Sequence, residues 1–216
     1  MPTPAESWAG YFFPDTVDNG TGQGTLRNHF AEREARVLSG IEFGAVTFRQ
    51  FQLMSDDVAV PRTFDAEHVR AIHRHLFQDV YDWAGEYRTV NLFKGTPRGF
   101  ADVTGGEIDR YLADVNRLVT AAVWGRLRRD EFVERAATVF AYLNQAHPFR
   151  EGNGRTAKVF MDQVSELSGY SLDYDRVSPA EWNDASKWSG PDLLAYEPHA
   201  EELVPVFEAL AVERVR

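Results

Sequence analysis

The chain has 216 residues, enough for about one domain and for a core that buries roughly 70% of the unfolded surface. Acidic residues outnumber basic ones 33 to 23, and the net charge of −10 excludes a general nucleic-acid binder, whose phosphate contacts need a basic face. With no cysteine there is no disulfide, thiolate nucleophile or cysteine zinc site, and a 44% hydrophobic content excludes a disordered chain.

The start, Met1-Pro2-Thr3-Pro4, lacks the basic-then-apolar order of a signal peptide. No apolar run nears the ~20 residues of a membrane helix, so a soluble, cytoplasmic protein is expected, with no membrane or direct nucleic-acid partner. Residues 1–28 are rich in Gly, Pro, Asp and aromatics and read as an arm packed on the core, anchored by Trp8, Tyr11, Phe12 and Phe13. Residues 29–216 read as one helical domain.

Helical periodicity begins with Val37, Leu38, Ile41, Ala45 and Phe48. A cleaner stripe follows, Val69, Ile72, His73, Leu76 and Phe77, with Asp65 as N-cap. His68 and His75 fall off that apolar face. With no carboxylate cluster nearby, the three histidines read as structural or surface residues rather than a metal site. Tyr87–Phe93 is strand-like, Lys94–Gly99 is turn chemistry, and Phe100–Val103 returns as a second short strand, which predicts a small hairpin. Further stripes are Ile108, Tyr111, Leu112, Val115, Leu118, Val119 and Ala122; Phe132, Val133, Ala136, Ala137, Phe140 and Leu143; and Ala157, Phe160, Met161, Val164 and Leu167. The basic run Arg126-Leu127-Arg128-Arg129 reads as a solvated loop. Ser178-Pro179 is an N-cap with proline at the first helical position, starting a helix that carries Trp182 and Ala185. A last amphipathic stretch holds Leu203, Phe207 and Leu210. Trp83 and Trp182 are expected in the core. The expected class is all-α with a short β-hairpin.

The chemistry concentrates in His147-Pro148-Phe149-Arg150-Glu151-Gly152-Asn153-Gly154-Arg155, between the fourth and fifth stripes. Pro148 disfavours helix at His147, so the fourth helix ends about there. Gly152 and Gly154 permit unusual backbone angles and leave room for a ligand against the main chain. A glycine-rich turn opening onto a helix N-terminus is an anion site. Arg155 and Lys158 can reach phosphate oxygens, Glu151 offers a hard oxygen for Mg²⁺, and His147 is suited to take a proton near neutral pH. Phe149 points inward and pins the loop. The Gly-Lys-Ser/Thr ending of a Walker A loop is absent.

This run matches the Fic-domain signature His-x-Phe-x-(Asp/Glu)-Gly-Asn-Gly-Arg-x-x-Arg through its first arginine. Leu26-Arg27-Asn28, the stretch from His68 to Trp83-Ala84-Gly85-Glu86-Tyr87-Arg88, and the Lys94-Gly95…Phe100-Ala101 hairpin are also similar to Fic proteins. The resemblance implies the Fic fold, a helical bundle with a hairpin flap. It implies an Mg²⁺-dependent protein adenylyltransferase that moves AMP from ATP to a hydroxyl of a target protein. By position, His147 is the base and Glu151 holds Mg²⁺. Gly152, Asn153, Gly154 and Arg155 hold the phosphates. The flap, Phe93, Lys94, Gly95, Phe100 and Ala101, docks the target as an added strand. The signature's last arginine is Lys158 here, which keeps the charge but loses the bidentate fork.

The family's inhibitory pattern, (Ser/Thr)-x-x-x-Glu-(Gly/Asn), has no full match; Thr63 reaches Glu67, but His68 follows. The resemblance is therefore to toxin-type Fic proteins, restrained by a small separate antitoxin, with type II topoisomerases as candidate targets. The alternatives are transfer of another nucleotide or a phosphoryl group, and a catalytically silent nucleotide- or partner-binding module.

Overall fold

The computed structural model describes residues 8–55, 57–93, 95 and 98–214. Among these, seven α-helices carry the fold: α1 (Ala35–Met54), α2 (Ala66–Phe77), α3 (Glu107–Thr120), α4 (Arg129–Ala146), α5 (Asn153–Ser165), α6 (Pro179–Trp188) and α7 (Val204–Leu210). No helix among the described residues is long and apolar enough to cross a membrane. Packing groups the chain into two units. The first comprises the described residues of Met1–Pro61 with Arg70–Val90 and Phe149–Gly152; the second comprises Arg62–Val69, Asn91–Pro148 and the described residues of Asn153–Arg216. Helix α2 contributes its first turn to the second unit and the rest to the first.

In the first unit, the arm returns on itself. Phe13 N–H donates to the Thr25 carbonyl (3.0 Å) and Arg27 N–H to the Tyr11 carbonyl (2.9 Å). Asn28 then satisfies its whole amide: Nδ2 donates to the Leu26 and Glu32 carbonyls, and Oδ1 accepts from Phe30 and Glu32 N–H. That fixes the approach to α1, whose first N–H groups are capped by the Glu34 carboxylate. The buried face of α1 differs from the expected stripe. It is Leu38, Glu42, Val46 and Leu53, while Val37 and Phe48 are 47% and 58% exposed. Polar partners rotate it: Glu42 accepts from the Tyr81 hydroxyl, and Arg49 pairs with Asp79 at 2.6 and 2.7 Å. An apolar pattern cannot register side chains buried by hydrogen bonding.

In the second unit α4 is central, packed by α3, α5 and α7. Phe132, Ala136, Ala137, Phe140 and Leu143 of α4, Leu112 and Val115 of α3, and Phe160 and Val164 of α5 are buried, as their periodicity predicts. The α6 start is also as read: Ser178 Oγ accepts from Glu181 N–H, the Glu181 carboxylate accepts from Ser178 N–H, and Pro179 follows the cap. The second unit's antiparallel strands are β1 (Tyr170–Leu172) and β2 (Ala211–Glu213), with Ser171 opposite Val212.

The expected hairpin strands at 87–93 and 100–103 are not formed among the described residues. One backbone bond, from Phe100 N–H to the Leu92 carbonyl (3.0 Å), closes the loop. Other partners take the remaining ladder groups: Val103 N–H donates to Asn91 Oδ1, the Gln145 side chain of α4 donates to the Gly99 carbonyl, and the Gln145 main-chain carbonyl accepts from Ala101 N–H. β-propensity in 87–93 yields to these bonds.

All three histidines of α2 are buried: His73 lies on the apolar stripe as read, and His68 and His75, which fall off that stripe, are buried as hydrogen-bonded structural residues. His68 Nδ1 accepts from Phe64 N–H (3.2 Å), so its Nε2–H donates to Gln163 Oε1 (2.6 Å). His75 Nε2 bonds the Arg49 carbonyl (3.1 Å). Burial pushes both rings toward the neutral form.

Candidate functional site

The run from His147 to Arg155 leaves α4 and enters α5. His147 caps α4 in the left-handed region (φ 38°), a conformation forced by the turn away from the helix before Pro148. Its ring stacks on Phe100 at 3.6 Å between centroids and 11° between planes. The base expected from the sequence and the aromatic residue at the foot of the flap are thus in contact. Phe93 is exposed, Gly95 has φ +70° and Ala101 is buried; Lys94 lies outside the described residues.

Phe149 is fully buried, as expected, with His73 stacked on it at 3.7 Å. Arg150 points into the arm: its guanidinium lies 4.1 Å from the Trp8 ring centroid and 5.2 Å from that of Phe12. Burial pushes its pKa down. The Glu151 carboxylate accepts from Gly152 N–H at 2.9 Å. The two glycines do different work. Gly152 has φ +81°, and a Cβ there would sit 2.2 Å from the Phe77 ring. Gly154 lies in the first turn of α5, and a Cβ there would meet nothing within 4 Å. Gly152 is required by packing, whereas Gly154 leaves open space against the backbone at a helix N-terminus. The first N–H groups of a helix point out of that end and favour anions.

Arg155 and Lys158 follow on α5. The Lys158 ammonium lies 4.6 Å from the Tyr174 ring centroid and 5.5 Å from that of Trp182, so this cation rests against aromatic faces. Trp182 is only half-buried and serves as a wall of that cage; Trp83 is also half-buried, and Trp188 is exposed. Asp162 lies one turn further along α5. Burial pushes its carboxyl up to about 7, helped by Glu166 and opposed by Lys158, Arg214 and the Tyr174 hydroxyl.

A raised carboxyl pKa means that the folded protein holds a proton that the unfolded chain releases between about pH 4 and pH 7. Stability therefore falls as pH rises through that window and is flat in this group above it. Asp162→Asn should remove that slope, so its gain in melting temperature over the wild type should be roughly 5 °C larger at pH 8 than at pH 5. Thermal melts of both proteins from pH 5 to pH 8 measure the difference.

Sequence reasoning missed His73, Gln145 and Asp162. A histidine set in the apolar stripe of α2 was the signal for the first; for Gln145 the sequence carries none, because its partner Gly99 lies distant along the chain, and for Asp162 it carries none because the shift comes first from burial.

Residues 63–165 match the Fic/DOC family. That match covers just under half of the chain. The chain is 35% identical over 164 residues to the protein adenylyltransferase VbhT of Bartonella schoenbuchensis, covering 76% of this chain and 33% of that protein. It is 38% identical over 126 residues to the probable protein adenylyltransferase y4lH of Sinorhizobium fredii, covering 56% of this chain and 62% of that one. It thus spans a third of the first relative and less than two thirds of the second. Among solved structures, the N-terminal Fic domain of a Bartonella quintana VirB-translocated effector with bound ADP superposes with a TM-score of 0.77 at 27% identity, over 94% of this chain and 95% of that one. BepC of Bartonella tribocorum shares the Fic fold at a TM-score of 0.77 and 23% identity, over 95% of this chain and 97% of that one.

Proposed function

We propose that this protein transfers AMP from ATP to a hydroxyl side chain of a target protein. The observation that carries the reading is the His147 ring stacked on Phe100 of the flap, at the head of a loop that ends on the open first turn of α5. A base against the flap and a phosphate cradle one turn of chain away are what hydroxyl-to-phosphorus transfer needs. The adenylyltransferase relatives and the ADP-bound neighbour point the same way.

In this scheme His147 takes the proton of the target hydroxyl. The oxygen forms a bond to the α-phosphorus as the bond to the bridging oxygen breaks, and pyrophosphate leaves. Backbone N–H groups of Gly152, Asn153 and Gly154, with Arg155 and the Lys158 charge, would supply donors and positive charge for the oxygens on which negative charge grows, and such fixed donors would carry much of the catalysis. The donor set fits Mg²⁺: that ion is commonly held by one or two carboxylates plus substrate phosphates, and Glu151 is the run's carboxylate. Bound there, Mg²⁺ would neutralise phosphate charge. The flap, including Phe93, Lys94, Gly95, Phe100 and Ala101, would receive the target as an added strand.

The toxin reading rests on the missing inhibitory pattern: Glu67 lies in the first turn of α2 and is followed by His68, not Gly or Asn. A small antitoxin is the proposed partner, type II topoisomerases are candidate targets, and the cytoplasm is the proposed location. Expression of the chain in a bacterial host should arrest growth, and lysate treated with the protein should gain protein-bound label from α-³²P-ATP but not γ-³²P-ATP. Label from the γ position would show phosphoryl transfer, and no label from either would sink the enzymatic reading.

A further inference from the structure

The His73 imidazole is completely buried on α2, and its two nitrogens have distinct tasks. Nδ1 lies 2.8 Å from Gly85 N and accepts that N–H. A nitrogen that accepts carries no proton, so the ring proton sits on Nε2. Nε2 lies 3.1 Å from the Glu151 carbonyl oxygen and donates to it. The ring is also locked in place, with Phe149 stacked at 3.7 Å, Phe77 at 4.6 Å and Trp83 at 5.9 Å. Gly85 holds its own place with φ +83°, where a Cβ would come within 2.8 Å of Arg74.

The bond falls on the Glu151–Gly152 peptide. The N–H of that same peptide is taken by the Glu151 carboxylate. One face of the peptide is thus tied to α2, and the other is tied to the run's only carboxylate.

We propose that His73 is a positioning residue for Glu151: its Nε2–H fixes the Glu151–Gly152 peptide, and through it the carboxylate, in the arrangement that receives a divalent cation. This rests on the nucleotide-transfer reading above. Groups that orient a metal ligand commonly change metal affinity by about 10- to 100-fold when removed. His73 would do so through the main chain, without touching nucleotide.

The test compares ATP binding with and without Mg²⁺ by calorimetry. His73→Leu keeps an apolar side chain against Phe149 but has no donor. It should lose about 10-fold of the tightening that Mg²⁺ gives, with metal-free ATP binding unchanged. His73→Gln keeps an N–H donor and should restore most of that tightening. Side-chain nitrogen NMR of wild-type protein should show the Nε2-protonated tautomer, a readout that needs no variant. Full Mg²⁺ tightening in His73→Leu, equal losses in the Leu and Gln variants, or an Nδ1-protonated ring would each overturn the proposal. Wild-type protein that binds no ATP would overturn the functional reading, and the His73 role with it. Wild type that binds Mg-ATP while His73→Leu keeps its full gain would overturn the His73 role alone.

Discussion

His147→Ala and His147→Asn should both lose AMP transfer by about 10³-fold while binding ATP as the wild type does. The imidazole is the group in the run that can take a proton near neutral pH, and neither replacement can. In the proposed scheme the cradle is built from other atoms: the backbone at Gly152–Gly154 and the side chains that follow on α5. Two variants are needed because His147 sits at φ 38°. Alanine there costs about 1–2 kcal/mol of left-handed strain, whereas asparagine adopts that region more readily. If only alanine abolished transfer, the loss would report a shifted loop. Equal losses, with ATP affinity retained, assign the proton transfer to the ring. Transfer at the wild-type rate in either variant would remove His147 from the mechanism. Initial rates with α-³²P-ATP and calorimetric ATP binding give both quantities.

How far the sequence reaches depends on how far apart the cooperating residues lie. The run His147–Arg155 was legible because its chemistry is local: proline ends one helix, glycine turns the chain, and the next helix starts at once. Helices α2 to α5 were legible because each buries a broad apolar face. Helix α1 was read only in part, with Leu38 buried but Val37 and Phe48 exposed, because Glu42 and Arg49 count as polar in any hydrophobic pattern. Their partners, Tyr81 and Asp79, lie about 30 to 40 residues away along the chain, and only the fold shows that they meet. The flap fails in the opposite sense. Tyr87–Phe93 has the composition of a strand, yet the backbone groups that follow are taken by Asn91 and Gln145, which no β-propensity includes. Strands β1 and β2 have three residues each, too few to show alternation. The roles of the His73 nitrogens were hidden for the same reason as Glu42: a buried polar group is explained by its partners, here Gly85 and the Glu151 carbonyl.

Gly152→Ala should be strongly damaging. Two costs add. At φ +81° an alanine is held in a region that side chains avoid, worth about 1–3 kcal/mol. Its Cβ would also lie 2.2 Å from Cζ and 2.4 Å from Cε2 of Phe77, a ring buried with no exposed surface. Displacing a well-packed ring costs about another 1–3 kcal/mol. Together they should lower the melting temperature by roughly 10 °C. The loop should shift as well, because Glu151 bonds the Gly152 amide that the methyl would push away from Phe77. Transfer activity should therefore fall even at temperatures where the variant stays folded. The two costs separate in a double-mutant cycle. Phe77→Leu removes ring atoms from the clash but leaves φ unchanged, so Gly152→Ala should cost less in that background, with the backbone strain remaining. If the cost were the same in both backgrounds, the clash with Phe77 would not be its source. If Gly152→Ala melted with the wild type, the loop would not be held in the conformation described.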